Sequence, residues 1–149
     1  MDLQRWRSSV WRRSIDEKTE LAVGSLQLAA GVAQGFEKLE VWNRAVALSA
    51  EVYVTLGECR EFGFRDQITR SCLSIASNIA EGMERQTIPD KIKFLDYARG
   101  SSGEFRTQAI VGSKCGLLPP DTAARWIEES RELSAMVQGL IRSLQRTSD

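Results

Sequence analysis

The sequence predicts an all-α protein, built as an antiparallel up-down-up-down four-helix bundle. Three observations carry this prediction. Apolar residues recur at alternating steps of three and four along four separate segments. Short connections containing Gly or Pro separate these segments, which is typical of antiparallel neighbours. Finally, the only β-rich run, "AEVYVTL", continues a helical stripe without a turn signal.

The first two helices are predicted near residues 36–57 and 64–84. The first carries two adjacent apolar stripes, which make a face wider than one core usually needs. The second contains "QITRSCLSIASNIAEGMER" and also has two apolar stripes. Its remaining side is serine-rich and has no lysine, unlike an ordinary solvated face. We therefore expect the second helix to be covered on every side.

The third and fourth helices are predicted near residues 88–115 and 121–145. Thr87 can cap the third helix and Pro89 suits its first turn, while Gly116 is a C-terminal stop. The third helix also contains "GSSG", and each interior glycine costs about 1 kcal/mol relative to alanine. Close approach of another backbone would offset that cost.

The serine-rich side of the second helix and the "GSSG" of the third helix together predict a polar network. We expect Asn78 and Glu81 to be enclosed where the second helix meets the third helix or another subunit. Their expected partners are Ser101, Glu104 or Arg70. The alternative is a solvated polar face that happens to lack lysine.

Composition argues against catalysis, metal binding and membrane insertion. The chain has no histidine, the commonest general base and metal ligand, and its three cysteines form no CxxC pair. We expect no cofactor, and reduced thiols in a cytoplasmic protein. No apolar run approaches the roughly 18 to 20 residues of a membrane span. The charge is balanced, with 20 basic and 20 acidic residues, whereas nucleic-acid binders usually show a basic excess.

Three regions follow from composition: an extension over residues 1–35, the bundle domain over 36–145, and a frayed tail over 146–149. The extension begins polar and Arg-rich and continues as the apolar "LAVGSLQLAAGVAQG". We expect it to pack little against the bundle and to be partly helical. The alternatives are a signal peptide, or a basic aromatic arm that touches phosphates or a membrane surface. The arm would comprise Trp6, Arg7, Trp11, Arg12 and Arg13.

The segments "FEKLEVWNRAVALSAEVY", "FGFRDQITRSCLSIASNIAEG" and "KFLDYARGSSGEF" followed by "CGLL" carry a family resemblance. Over residues 36–144 the chain resembles the four helix bundle protein family, also called 23S rRNA intervening-sequence proteins. The "SIASNIAEG" segment is the most specific part. The sequence departs from the family at Ser102 and Gly103, where bulkier residues are common, and its "GECR" loop lacks the usual proline. The matching positions are Asn78, Glu81, Gly82, Ala98, Ser101 and Glu104.

The resemblance implies an antiparallel four-helix protomer that assembles as a ring, typically of five subunits. Genes of this type occur inside insertions in bacterial large ribosomal RNA genes and at other loci. Their molecular role is largely unassigned, and the family has no catalytic residues to transfer. Distant relatives in diversity-generating retroelements form a basic barrel that binds nucleic acid and a reverse transcriptase.

The sequence and the resemblance leave three candidate functions. The first is a non-enzymatic oligomeric scaffold or adaptor that binds copies of itself and a partner protein. The second is an RNA- or DNA-binding ring that acts with ribosomal RNA or a reverse transcriptase. Its contacts would be Arg60, Arg65, Arg70, Lys91, Lys93 and Arg99. The third is an enzyme using Glu81 and Glu104 as paired carboxylates, which is disfavoured because bundle metal sites normally include histidine.

Overall fold

The computed structural model describes residues 35–147 and contains four long helices. A short 3-10 helix, Gly35–Lys38, precedes them. They are α1 (Glu40–Thr55), α2 (Phe62–Glu84), α3 (Ile88–Lys114) and α4 (Pro120–Arg146). Residues 35–147 contain no strand, so the all-α prediction is confirmed. The predicted N-terminal extension, apart from its last residue, and the end of the tail lie outside the described residues.

The helices form a closed square in which each packs against its chain neighbour and α4 returns to α1. The order of cross-helix contacts fixes their directions. Early in α1, Arg44 reaches Glu129, whereas later in α1 Glu51 reaches Trp126, so α1 and α4 are antiparallel. Early in α2, Ser71 bonds to Gln108, whereas later in α2 Ser74 bonds to Ser101, so α2 and α3 are antiparallel as well. The structure is therefore the predicted four-helix bundle.

The ends of α3 follow the predicted signals. The Thr87 Oγ1 accepts a hydrogen bond from the backbone N–H of Asp90 at 3.3 Å, and a proline lies in the first turn. At the other end Gly116 has φ 72°, a conformation that favours glycine. The backbone N–H of Leu117 then donates to the carbonyl of Gly112 at 2.8 Å, which closes a Schellman motif.

Large apolar side chains fill the centre of the square. The rings of Phe105 in α3 and Trp126 in α4 lie 5.9 Å apart, and both side chains are fully buried. Beside them Ser102 donates to the backbone carbonyl of Ser130 at 2.8 Å and accepts from Ser134 at 3.0 Å. The small serines therefore bring the backbones of α3 and α4 close together and satisfy their own hydroxyl groups.

The structure places the close helix contacts at different glycines from those predicted. A Cβ added to Gly82 would lie 3.1 Å from the Lys91 carbonyl oxygen, so α2 and α3 approach closely there. A Cβ on Gly112 would lie 2.5 Å from the Phe64 ring. Nothing lies within 4 Å of such an atom at Gly100 or Gly103. Within one chain the predicted close approach at "GSSG" is wrong, because its inward position is taken by Ser102.

Candidate functional site

A line of small polar side chains joins α2 to α3, and we call Ser71, Ser74, Asn78, Ser101 and Gln108 the serine seam. Ser101 donates to the Ser74 hydroxyl oxygen at 3.1 Å. Asn78 donates to the same oxygen at 3.0 Å and to the Ser74 carbonyl at 2.9 Å. Ser71 donates to the Gln108 side-chain oxygen at 2.5 Å. Each serine hydroxyl of the seam thus has a hydrogen-bond partner within the seam, which needs no lysine.

The four residues of the predicted network separate in this arrangement. Asn78 and Ser101 meet through Ser74, as half-buried groups. Glu104 is exposed and accepts a hydrogen bond from Gln108 at 3.3 Å. Glu81 does not join them, because it is exposed and pairs with Arg85 one turn further along α2. The predicted enclosure of Glu81 is thus wrong for the single chain, and enclosure by another subunit stays a prediction.

Exposed aromatic and aliphatic side chains flank the serine seam. Tyr97 is 49 % exposed and Val111 is 47 % exposed, and both share the seam side of α3 with Ser101 and Glu104. Gly100 opens a gap beside them. This side of the bundle thus presents apolar surface and a shallow notch to its surroundings, and α2 is not covered on every side within one chain.

A second open feature is the groove between α1 and α2. A cavity of about 540 Å³ lies at the end of this groove where α1 ends and α2 begins. Tyr53 is 50 % exposed and Leu73 is 46 % exposed, so its apolar walls are accessible. The Thr69 hydroxyl already donates to the Arg65 carbonyl at 2.7 Å. The lining residues are Tyr53, Gly57, Arg65, Asp66, Thr69, Arg70 and Leu73.

The cations of the predicted nucleic-acid contact set divide into two groups. Arg60, Arg65 and Arg70 lie just before or in the first half of α2, whereas Lys91, Lys93 and Arg99 lie in the first half of α3. Because α2 and α3 are antiparallel, these halves point to opposite ends of the bundle. One chain therefore does not gather all six at one end, and a channel lined by repeated copies stays a prediction.

Half of these cations already have partners. Arg65 pairs with Asp66 at 3.2 Å. Lys91 donates to the Met83 backbone carbonyl at 2.6 Å and so caps the end of α2. Arg99 pairs with the Asp96 carboxylate at 3.1 Å. The remaining three are exposed and form no ion pair within residues 35–147: Arg60, Arg70 and Lys93.

The boundary between α1 and α4 is bridged by charged side chains that the sequence analysis did not identify. The Arg44 guanidinium donates to both oxygens of Glu129, at 2.8 and 2.6 Å, and also pairs with Glu132. The hydrogen bonds that Arg44 donates, to Glu129 first and to Glu132 second, raise the pKa of Arg44 above its ordinary value, although burial opposes the shift. We call the contacts of Arg44 and Glu51 with α4 the charged boundary.

Glu51 is the second bridge of the charged boundary. Its Oε1 accepts from the buried Trp126 indole at 2.8 Å and pairs with Arg125 at 2.6 Å. A signal for it does exist in the sequence. A buried tryptophan needs an acceptor for its N–H, and Glu51 is the one acid inside the apolar run of α1. Arg44 had no comparable signal, because an arginine in an amphipathic helix usually faces solvent.

The acidic side chains and thiols of residues 35–147 form no candidate metal site, since no group of three or more Cys, Asp or Glu side chains there could hold a metal ion. Cys59 and Cys72 are buried free thiols and Cys115 is exposed. Burial, with a smaller contribution from the Glu51 charge, raises the pKa of Cys72 above its ordinary value. Among the four described helices, none has the length and apolarity to cross a bilayer.

Comparison with known proteins agrees with this architecture. A family model described as "23S rRNA-intervening sequence protein" matches residues 37–139. A crystal structure of a protein of unknown function from the S23 ribosomal protein family of Bacteroides thetaiotaomicron has a similar fold, with a TM-score of 0.64 and 21 % identity. The similarity covers 68 % of this chain and 97 % of that one. At this identity the likeness shows the fold alone. No curated protein matches the chain.

Proposed function

The chain belongs to the 23S rRNA-intervening sequence protein family, and from that premise we propose that it is a non-enzymatic homo-oligomeric scaffold or adaptor. The observation that carries the proposal is the outer side of the serine seam. There the exposed Tyr97 and Val111 flank the open notch at Gly100. Exposed apolar surface of this kind often marks a protein–protein contact.

The chemistry of this side suits a second copy of the same chain. Tyrosine is enriched at the centre of protein interfaces, whereas lysine is depleted there. The seam contains neither lysine nor an unsatisfied hydroxyl group, so covering it would leave few polar groups without partners. A side chain from a neighbouring helix could enter the notch at Gly100 because no heavy atom of this chain fills it.

The proposal sets the protein in the cytoplasm as a ring, with five subunits as the expected number. Reduced thiols support the compartment, since Cys59, Cys72 and Cys115 are all free. In a closed ring each subunit contacts its neighbour through two different patches. The other faces of the ring would then remain available to a partner protein.

Light scattering on the purified full-length protein tests the scaffold function. The expected mass is about five times the 16.7 kDa of one chain. Tyr97→Lys and Gly100→Lys should shift the mass toward the monomer, because each puts a charge on the seam side. Ala135→Lys is the matched control, because Ala135 is an exposed small residue of α4. A monomeric parent, or equal behaviour of all three variants, would refute the use of this side.

The second candidate function is nucleic-acid binding, and the exposed cations Arg60, Arg70 and Lys93 support it. Their charges are offset by nearby acids, and the whole chain has 20 of each sign. We therefore expect only weak binding to RNA or duplex DNA at physiological salt. A salt titration of fluorescent RNA binding provides the test. Submicromolar affinity that falls with rising salt, and falls again in Arg70→Ala, would favour this function over the scaffold.

A further inference from the structure

The groove between α1 and α2 begins where the described chain begins. A Cβ added to Gly35 would lie 3.8 Å from a Glu84 carboxylate oxygen, so the chain enters beside the C-terminal end of α2. The 3-10 helix Gly35–Lys38 packs there across both α1 and α2. Gly35, where the described chain begins, therefore lies at one end of the groove.

Between its two ends the wall of the groove is small and uncharged. On α2 the residues Leu73, Ser77 and Ala80 recur at steps of four and three, so they share one side of the helix. On α1 the half-buried Val46 and Ala50 share a side with Tyr53. The wall thus offers apolar surface to an occupant that carries no charge along its length.

Charged residues stand at the far end of the groove. Arg65 and Arg70 line the wider cavity there, next to Asp66. Arg65 already pairs with Asp66, whereas Arg70 forms no ion pair within residues 35–147. An occupant with an apolar body and an acidic end would therefore match both the walls and the unpaired guanidinium.

We propose that residues 16–34 of the same chain lie in this groove as a helix. The segment reads "DEKTELAVGSLQLAAGVAQ", in which an acidic start is followed by 14 residues without charge. Its glycines and alanines permit close approach to Ala50 and Ala80. Residues 35–39 then form the short connection to α1, which makes the segment and α1 an antiparallel helical hairpin.

The lengths agree with this placement. A helix rises about 1.5 Å per residue, so the 15 residues from Glu20 to Gly35 span about 22 Å. The 14 residues from Arg70 to Glu84 in α2 span about 21 Å. With Gly35 fixed beside Glu84, Glu20 comes level with Arg70. Asp16 and Glu17 come level with Arg65 one turn further, where acidic residues in a first helical turn are favoured.

This placement differs from the expectation drawn from composition alone, that the extension packs little against the bundle. Composition describes the segment, whereas the groove provides its binding surface. The same groove could instead be covered by a second copy of the chain or by nucleic-acid phosphates held by Arg70. Hydrogen exchange and light scattering distinguish these occupants.

Hydrogen exchange on the full-length protein tests the placement. Backbone amides of residues 21–34 should exchange at least about tenfold more slowly than an unstructured chain. Leu73→Asp should remove that protection, and the milder Leu73→Ser should reduce it. Ala135→Asp is the matched control, because Ala135 is an exposed residue of α4 that lies neither in the groove nor on the seam side. Unprotected amides in the parent would overturn the proposal.

A charge exchange tests the register. Arg70→Glu should weaken the protection of residues 21–34, and adding Glu20→Arg in the same chain should restore it. Failure of the second change to restore protection would refute the pairing. Light scattering tests whether a second copy of the chain occupies the groove instead. A lower mass for Leu73→Asp, with unchanged protection of residues 21–34, would show that a second copy covers the groove and would overturn the proposal. Protection that appears only with added RNA would likewise overturn the proposal.

Discussion

Helix α4 packs against its two neighbours, α3 and α1, through different kinds of contact. Against α3 it packs through the buried rings of Phe105 and Trp126 and through serines that let the backbones approach. Against α1 it is held at the charged boundary, where Arg44 spans the gap to Glu129. The first contact is dry and close, and the second is partly exposed and made by long side chains.

The difference shows where the stability of the bundle lies. Apolar burial contributes about 25 cal/mol per Å², and it adds up over fully buried side chains such as Phe105. A partly exposed ion pair contributes only about 0 to 1 kcal/mol, because solvent screens it. We therefore expect the α3–α4 contact to hold the bundle together and the charged boundary to fix how α1 lies upon it.

The largest expected effect comes from breaking the dry contact. Phe105→Ala removes a fully buried ring and should lower the free energy of unfolding by about 3–5 kcal/mol. Phe62→Ala is the control, because Phe62 is 59 % exposed, and its effect should stay within about 0.5 kcal/mol. Urea denaturation measures both. Similar losses for the two variants would mean that the core is not organised around Phe105.

A second pair of variants sharpens the role of close approach. Gly139→Ala should stabilise α4 by up to about 1 kcal/mol, because its Cβ meets nothing within 4 Å. Gly82→Ala has the same helical benefit but places its Cβ 3.0 Å from the Phe94 Cβ. It should therefore be less stable than Gly139→Ala by about 1–3 kcal/mol, as in overpacked cores. Thermal melts at equal protein concentration compare the two variants. An equal gain in melting temperature would contradict the close contact at Gly82.

At the charged boundary the expected loss is smaller and depends on salt. Arg44→Ala leaves Glu129 and Glu132 facing each other and should destabilise by about 1 kcal/mol at low salt. Because screening weakens this repulsion, high salt should reduce the difference from the parent. Arg99→Ala, which removes an exposed pair within one helix, should change stability by less than about 0.5 kcal/mol. A salt-independent loss for Arg44→Ala would indicate packing rather than charge.

The smallest effect concerns the buried thiol between α1 and α2. Burial raises the pKa of Cys72, so the folded protein keeps this thiol neutral at a pH where the unfolded chain ionises it. The resulting stability is complete below the ordinary thiol pKa of about 8.5 and is lost as the pH rises above it. The decline of stability above about pH 9 should thus be shallower in Cys72→Ala than in the parent.

Thiol labelling provides a separate check on the same contact. In the native protein an alkylating reagent should modify the exposed Cys115 at once. Cys59 and Cys72 should react only at the rate at which the bundle opens. Rapid labelling of all three thiols at neutral pH would contradict the buried position of Cys72.

The sequence by itself determined the four helices and the ends of α3. Their signals are local: apolar periodicity sets a helix, Thr87 accepts from a backbone N–H three residues away, and Gly116 adopts a positive φ. Local signals of this kind shape the backbone independently of the residues that pack around them. The order of the helices around the square followed from the short connections, which leave antiparallel neighbours as the simplest packing.

Only the tertiary structure decided which small residues approach another helix and which polar groups meet. Gly82 and Gly100 look alike in sequence, but one packs against Phe94 and the other faces open space. Glu81 looked as enclosed as Asn78 and lies on the same side of α2 as Ser74, but it is about two turns further along the axis, where it pairs with Arg85 instead of the serine seam. The physical reason is that a helix repeats every 3.6 residues. Apolar periodicity therefore predicts which side of a helix is buried. The packing of the neighbouring helix decides which residues at the edge of that side make contacts.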